Sequence, residues 1–214
     1  MSLQHTNPPH DCPLCPRLAS FRAENRAKFP DWFNAPVPAW GDVTPKLVIV
    51  GLAPGLRGAN RTGRPFTGDY AGDLLYATLK KFGLAVGDYE ESPTDTLQLR
   101  GALIANAVRC VPPQNKPTGD EIKTCRQFLT ATVETYSPSI FLVLGRIAHD
   151  SLLSALSEKR SKFPFAHGAT YRLTSGATLF DSYHCSRYNT NTGVLTEAMF
   201  EDVVGRAAEA ALAS

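Results

Sequence analysis

The chain has 214 residues, with 22 Lys or Arg against 20 Asp or Glu for a formal charge of +2, and 43% of it is hydrophobic and 20% charged. That balance excludes a disordered chain, which would be poorer in apolar side chains and richer in charge. No run of about 18 apolar residues is present, so no membrane-spanning helix is expected. The N-terminal stretch MSLQHTNPPHDCPLC lacks the basic start and apolar run of a secretory signal. A cytoplasmic protein with one domain over residues 1–214 is therefore expected. Five cysteines, an odd number in a reducing compartment, argue against a disulfide framework.

The first 45 residues read as an irregular arm. Cys12-Pro13-Leu14-Cys15 opens it, and a short helix over 16–28 follows. Pro30, Pro36, Pro38 and Pro45 then forbid a continuous helix or central strand, while Trp32, Phe33 and Trp40 point to an arm packed on the body. Residues 46–50, Lys-Leu-Val-Ile-Val, read as a buried and parallel strand ended by Gly51. A Gly-rich loop runs from 51 to 68. Leu74, Leu75, Leu79 and Phe82 recur at helical spacing. A second strand fits 102–108 and a third 140–144. Between them Thr118 and Glu121 make a T-x-x-E capping box for a helix running to Tyr136. Further elements are a helix over 146–156, strands near 170–173 and 178–182, and a last helix from Thr196 with Phe200, Val203, Val204, Ala207 and Ala211 along one side. Alternating strands and helices predict α/β layering around a mostly parallel sheet. Ligands bind such sheets beyond the carboxyl ends of the strands, which marks the loops after Val50, Val108 and Ser182. There is no internal repeat and no low-complexity tract.

Cys12 and Cys15 form a C-x-x-C pair, and Cys110 and Cys125 stand 15 positions apart, the first after a strand and the second inside the following helix. Two such pairs suit a tetrahedral thiolate site for zinc or an iron–sulfur cluster. Spacing does not separate those two, and a redox pair or plain burial also stays open. The residues before Cys12, Asn-Pro-Pro-His-Asp, fit a redox motif poorly, because that motif expects a preceding strand. Cys185 lies beside His184, but neighbours on a strand point to opposite faces, so the histidine is badly placed to activate that thiol. The loop GLAPGLRGANRTGRPFTGD has no G-K-[ST], so it is not a nucleoside-triphosphate loop. Between Gly51 and Gly68 it carries three arginines, Arg57, Arg61 and Arg64, and no acid. A basic loop at the mouth of an α/β site suits a polyanion. Phe66, in its middle, is costly there unless it packs or stacks.

With these features the sequence resembles the uracil-DNA glycosylase superfamily and, within it, the iron–sulfur branch, most closely family 5 (B-type). GLAPGLRGANRTGRPFTGD is similar to the first motif of that family and DSYHCSRYNTNTG to its second. NAVRCVPP, from Asn106 to Pro113, resembles the middle signature, and the four cysteines match the cluster spacing of families 4 and 5. The resemblance spans most of the chain. It implies a three-layer α/β/α fold around a central, mostly parallel, four-stranded sheet, and a 4Fe–4S cluster on Cys12, Cys15, Cys110 and Cys125. It implies a monomeric, monofunctional glycosylase that removes uracil, with hypoxanthine and xanthine as further candidates, from DNA. Gly51, Leu52, Ala53, Pro54, Gly55, Phe66 and Asn106 would bind the extruded base. Asp69, Asn115 and His184 would be catalytic. Arg57, Arg61, Arg64, Ser186, Arg187 and Asn189 would contact DNA. Leu56 stands where family 4 has its glutamate, so the acid falls to Asp69, as in family 5. Asn106 stands where some family 5 members carry alanine, which implies stronger uracil selectivity. Cys185 replaces the usual proline after His184, which should loosen that loop.

The chemistry is consistent with those roles. A glycosylase extrudes its nucleotide, at a cost of a few kcal/mol. An asparagine amide offers both a donor and an acceptor to uracil's N3–H and O4. A carboxylate favours the oxocarbenium-like sugar and orients water, and a histidine donor favours the departing base anion. The plainer alternatives are an ordinary N-cap for Asp69, a strand-end role for Asn106 and simple burial for His184. His149 and His167 lack a supporting motif and read as structural. The competing reading of the whole chain is a non-catalytic iron–sulfur module that binds nucleic acid.

Overall fold

The computed structural model describes residues 6–213; the first five residues of the arm lie outside them. Its strands are β1 (Trp40–Gly41), β2 (Leu47–Gly51), β3 (Ala85–Val86), β4 (Gln98–Leu99), β5 (Ala102–Asn106), β6 (Ile140–Leu144), β7 (Thr170–Arg172) and β8 (Thr178–Ser182). The helices are α1 (Pro16–Lys28), α2 (Ala59–Thr62), α3 (Tyr70–Lys81), α4 (Gly119–Tyr136), α5 (Arg146–Ala155), α6 (Arg187–Asn191) and α7 (Glu197–Leu212).

The main sheet has six strands in the order β1-β5-β2-β6-β8-β7. Its four central strands, β5, β2, β6 and β8, are mutually parallel, as expected. The sheet has six strands where four were expected, with an antiparallel strand at each edge: β1, which was not expected, against β5, and β7, the strand expected near 170–173, against β8. A separate hairpin, β3 with β4, was not expected; two residues per strand are too few to show a period. The second expected strand ends at Asn106 instead of Val108, because the backbone N–H groups of Ala107 and Val108 turn to the carbonyls of Gly51 and Leu52.

Every residue of β2, β5 and β6 is buried, as a parallel sheet covered on both faces requires. Leu47, Ile49, Ile104, Leu142 and Leu144 pack against α3 and α7 through Leu75, Leu79, Phe200, Val203 and Val204. Val48, Val50, Phe141 and Val143 face α4 and α5 through Leu129, Val133, Leu152 and Leu153. The layering is therefore α/β/α. The capping box of α4 is complete, with the Glu121 N–H donating to Thr118 Oγ1 at 3.3 Å and the Thr118 N–H donating to Glu121 Oε2 at 2.7 Å. The arm is docked on the Gly-rich loop: the backbone N–H groups of Phe33 and Asn34 donate to the carbonyls of Arg61 and Asn60. Among the parallel strands, chain order reverses direction at the β2–β6 pair, so the crevice between their following loops is where a ligand is expected.

Candidate active site

The carboxyl ends of the central strands open into a cavity of about 520 Å³ lined by Leu52, Ala53, Pro54, Gly55, Ala59, Phe66, Gly68, Asp69, Tyr70, Ala71, Asn106, Asn115, His184, Ser186 and Arg187. All three loops marked in the sequence meet there. Gly51 is not part of the lining. It is the spacer between two lining side chains, since a Cβ on it would lie 2.4 Å from Asn106 Oδ1 and 2.8 Å from the Phe66 ring. Tyr70 and Ala71 are additions that follow directly from Asp69 in the motif.

Asn106 ends β5 with 3% of its surface exposed. Its Oδ1 is buried without a hydrogen-bond partner, a state that costs about 1–3 kcal/mol unless a ligand relieves it. The strand-end alternative fails, because the side chain satisfies no backbone group.

Phe66 is buried with φ +51°, an uncommon conformation for a bulky residue that persists only where its surroundings enforce it. The Tyr76 hydroxyl donates to the Pro65 carbonyl at 2.5 Å and the Tyr89 hydroxyl to the Phe66 carbonyl at 3.3 Å. Its ring faces that of His184 at 5.8 Å, inclined by 27°.

Asp69 caps α3, its Oδ1 accepting the Gly72 N–H at 3.4 Å. The N-cap reading therefore holds, but the side chain also lines the cavity. Its Oδ2 is cradled by two glycines: a Cβ on Gly55 would come within 2.9 Å of it and one on Gly58 within 2.3 Å. Burial raises its carboxyl above the ordinary value, opposed by the Gly72 and Ala71 N–H groups. Burial pushes His184 the other way, down to about 4, so at neutral pH the ring is uncharged and is a donor through one nitrogen only. Asn115 is exposed at the cavity rim, and both it and Gln114 have φ +56°.

One expected DNA contact, Arg64, is overturned, and two others, Asn189 and Ser186, are already engaged within the chain. Arg64 is 3% exposed and is bound by Asp95, at 2.7 Å for both Nη1–Oδ1 and Nη2–Oδ2. Its guanidinium also lies 4.9 Å from the Trp40 ring centre. It is a core cation that fixes the loop, and the surface charge of the loop rests on Arg57 and Arg61. Asn189 donates its amide to the His184 carbonyl at 2.8 Å, so it shapes the second motif from within. Ser186 caps α6 through the Asn189 N–H while still lining the cavity beside the exposed Arg187. The loop around Cys185 is tied where loosening was expected. That thiol is fully buried and donates to the Ala71 carbonyl at 3.4 Å, joining the second motif to α3. His149 is structural, set between Asp181 at 2.7 Å and the Phe163 carbonyl at 2.8 Å.

A second, small cavity is separate from the first. Cys12, Cys15, Cys110 and Cys125 all border it, and none is in a disulfide. Burial pushes the thiols of Cys15 and Cys110 up to about 11 and about 12. Among the described residues, no group of three or more His, Cys, Asp or Glu side chains is arranged to hold a metal ion; the four thiols share the lining of one small cavity of about 10 Å³.

The fold and site define an α/β protein whose cavity, at the carboxyl ends of the central strands, joins an aromatic face, a buried amide oxygen without a partner and a buried carboxylate. The family model of the uracil DNA glycosylase superfamily matches residues 38–207, and the chain belongs to that superfamily. A type-5 uracil-DNA glycosylase of Thermus thermophilus is 44% identical over 90% of this chain and 90% of its own length. One of Pyrobaculum aerophilum is 37% identical over 92% and 88%. A type-4 uracil-DNA glycosylase of Sulfurisphaera tokodaii is 30% identical over 78% and 72%.

Proposed function

We propose that this protein is a DNA glycosylase of the type-5 kind, hydrolysing the N-glycosidic bond of uracil turned out of DNA and leaving an abasic site. The observation that carries this reading is the unpaired Asn106 amide in one cavity with Asp69 and His184. The base enters against Phe66. Asn106 accepts from N3–H and donates to O4, which relieves its own buried oxygen. As the bond lengthens, the Asp69 carboxylate favours the cationic sugar and orients the attacking water. Neutral His184 donates to a base oxygen and stabilises the departing anion. Asn115 at the rim is the second polar group beside the sugar. Arg57, Arg61 and Arg187 meet the phosphates. No lysine lines the cavity, which supports a glycosylase that does not cut the strand. All these groups come from one chain, which supports a monomer, acting on DNA in the cytoplasm.

In this reading Cys12, Cys15, Cys110 and Cys125 hold a 4Fe–4S cluster. Two N–H···S contacts support it, from Arg22 Nη1 to Cys110 at 3.6 Å and from the Arg109 N–H to Cys125 at 3.3 Å, the kind of second layer that surrounds thiolate-bound iron. When bound, the cluster would supply a covalent cross-link between the arm, the loop after β5 and α4.

Base release across U·G, U·A, single-stranded uracil, hypoxanthine and xanthine substrates tests the assignment. Uracil is expected to lead, with U·G favoured because a mismatched base is cheaper to extrude. A protein that releases hypoxanthine but no uracil contradicts it.

A further inference from the structure

Two arginines that border the four-cysteine cavity carry charge that no acid matches. Arg22 lies on the inner face of α1 with Leu18 and Asn25 and is 6% exposed. Besides Cys110 Sγ, its guanidinium donates, among the described residues, only to the Cys12 carbonyl, at 2.9 Å. Arg109 is 1% exposed. It donates to Thr132 Oγ1 at 3.0 Å, the Thr6 carbonyl at 3.4 Å and Asn7 Oδ1 at 3.3 Å, and its Nε is buried without a partner. Both arginines border the cavity.

Neither has a carboxylate partner among the described residues. Glu121, the acid that acts on Cys15, is held by Arg17 at 2.7 Å and by its own capping box. The contrast within the molecule is Arg64, equally buried but matched by Asp95. Arginine does not shed its proton, and an unpaired buried charge costs several kcal/mol. A four-iron core carries less positive charge than its four thiolates carry negative, so the assembled centre is a net anion.

We infer that Arg22 and Arg109 are the counter-ions of the thiolate-bound centre, neutralising it and holding its reduction potential up. This rests on the cluster reading above. Arg22 bridges the two cysteine pairs, from the Cys12 carbonyl to the Cys110 sulfur. Arg109 ties the segment before Cys12 to α4, so charge and architecture are set by the same two side chains. Adding an electron makes the centre more negative, and nearby cations favour that state.

The test uses the full chain prepared without oxygen, and Arg22→Gln, Arg109→Gln, Arg22→Lys and Arg109→Lys. Iron, sulfide and visible absorption of the unmodified protein come first. A colourless zinc protein overturns the cluster reading, and this inference with it. With iron present, a mediated redox titration follows the one-electron couple that falls within range. At a fixed potential each Gln variant is expected to show a reduced-to-oxidised ratio at least tenfold lower, equivalent to 59 mV for one electron. The Lys variants, which keep the charge, are expected to stay near the unmodified protein. Identical titrations for the Gln variants and the unmodified protein overturn the counter-ion role and leave the cluster reading standing. Where a Gln variant does not retain iron, iron release to a chelator decides: retention in the matching Lys variant supports the role, and equal loss from both overturns it.

Discussion

Asn106→Ala separates a base-reading residue from a structural one. The amide is buried, and neither its carbonyl nor its NH₂ has a hydrogen bond among the described residues. In the free protein it contributes no hydrogen bond that alanine would remove, so stability should change by no more than about 1 kcal/mol, and a rise is favoured because an unsatisfied oxygen disappears. In the complex it makes two neutral hydrogen bonds, each of about 0.5–1.5 kcal/mol. Their loss lowers single-turnover kcat/KM on a U·G duplex by about 5- to 150-fold. Base release and thermal melting of the same preparations give both numbers. A variant that keeps its rate within twofold, or loses rate only in proportion to stability, refutes the reasoning.

Three further predictions follow from the same geometry. Gly58→Ala forces a Cβ to 2.3 Å from Asp69 Oδ2, and displacing the carboxylate by about 1 Å should lower the rate by about 10²-fold; Gly119→Ala, whose Cβ meets nothing within 4 Å, should leave it unchanged. With His184 held down at about 4, the histidine adds no inflection between pH 6 and 8, and the profile follows Asp69, whose carboxyl is raised by burial. It should fall only on the acid side, with a midpoint above the ordinary 3.8 of a carboxyl; an inflection near 6.5 that His184→Asn removes would contradict this. Arg64→Met strands Asp95 in the core and should cost about 3–5 kcal/mol in denaturant unfolding at pH 7. Arg64 holds Asp95 down to about 2, so that stabilisation is complete above about 4 and fades as the pH falls towards 2; a loss under 1 kcal/mol at pH 7 would show that the pair is solvated.

Much of this was legible in the sequence because it is local. The apolar runs of β2, β5 and β6, the Thr118–Glu121 box and the glycines before Asp69 each announce themselves within a few residues. What was not legible depends on partners distant in the chain. Nothing near Arg64 marks it as a core cation, since its acid, Asp95, lies 31 positions away, beyond α3 and in the loop that joins β3 to β4. Asn189 looked like a surface amide because its acceptor is a backbone carbonyl, which leaves no trace in side-chain identity. Cys185 looked like a lost proline, and only the packing of α3 against the second motif reveals the thiol's acceptor. Edge strand β1 was hidden among prolines, its pairing set by β5.

The most direct measurement of the central claim is free uracil released per mole of protein from a labelled U·G duplex. The account predicts stoichiometric and then repeated release, with the strand intact until alkali cleaves the abasic site. Salt-dependent binding of the same duplex with no uracil released at micromolar protein would contradict it and identify a nucleic-acid-binding module without turnover.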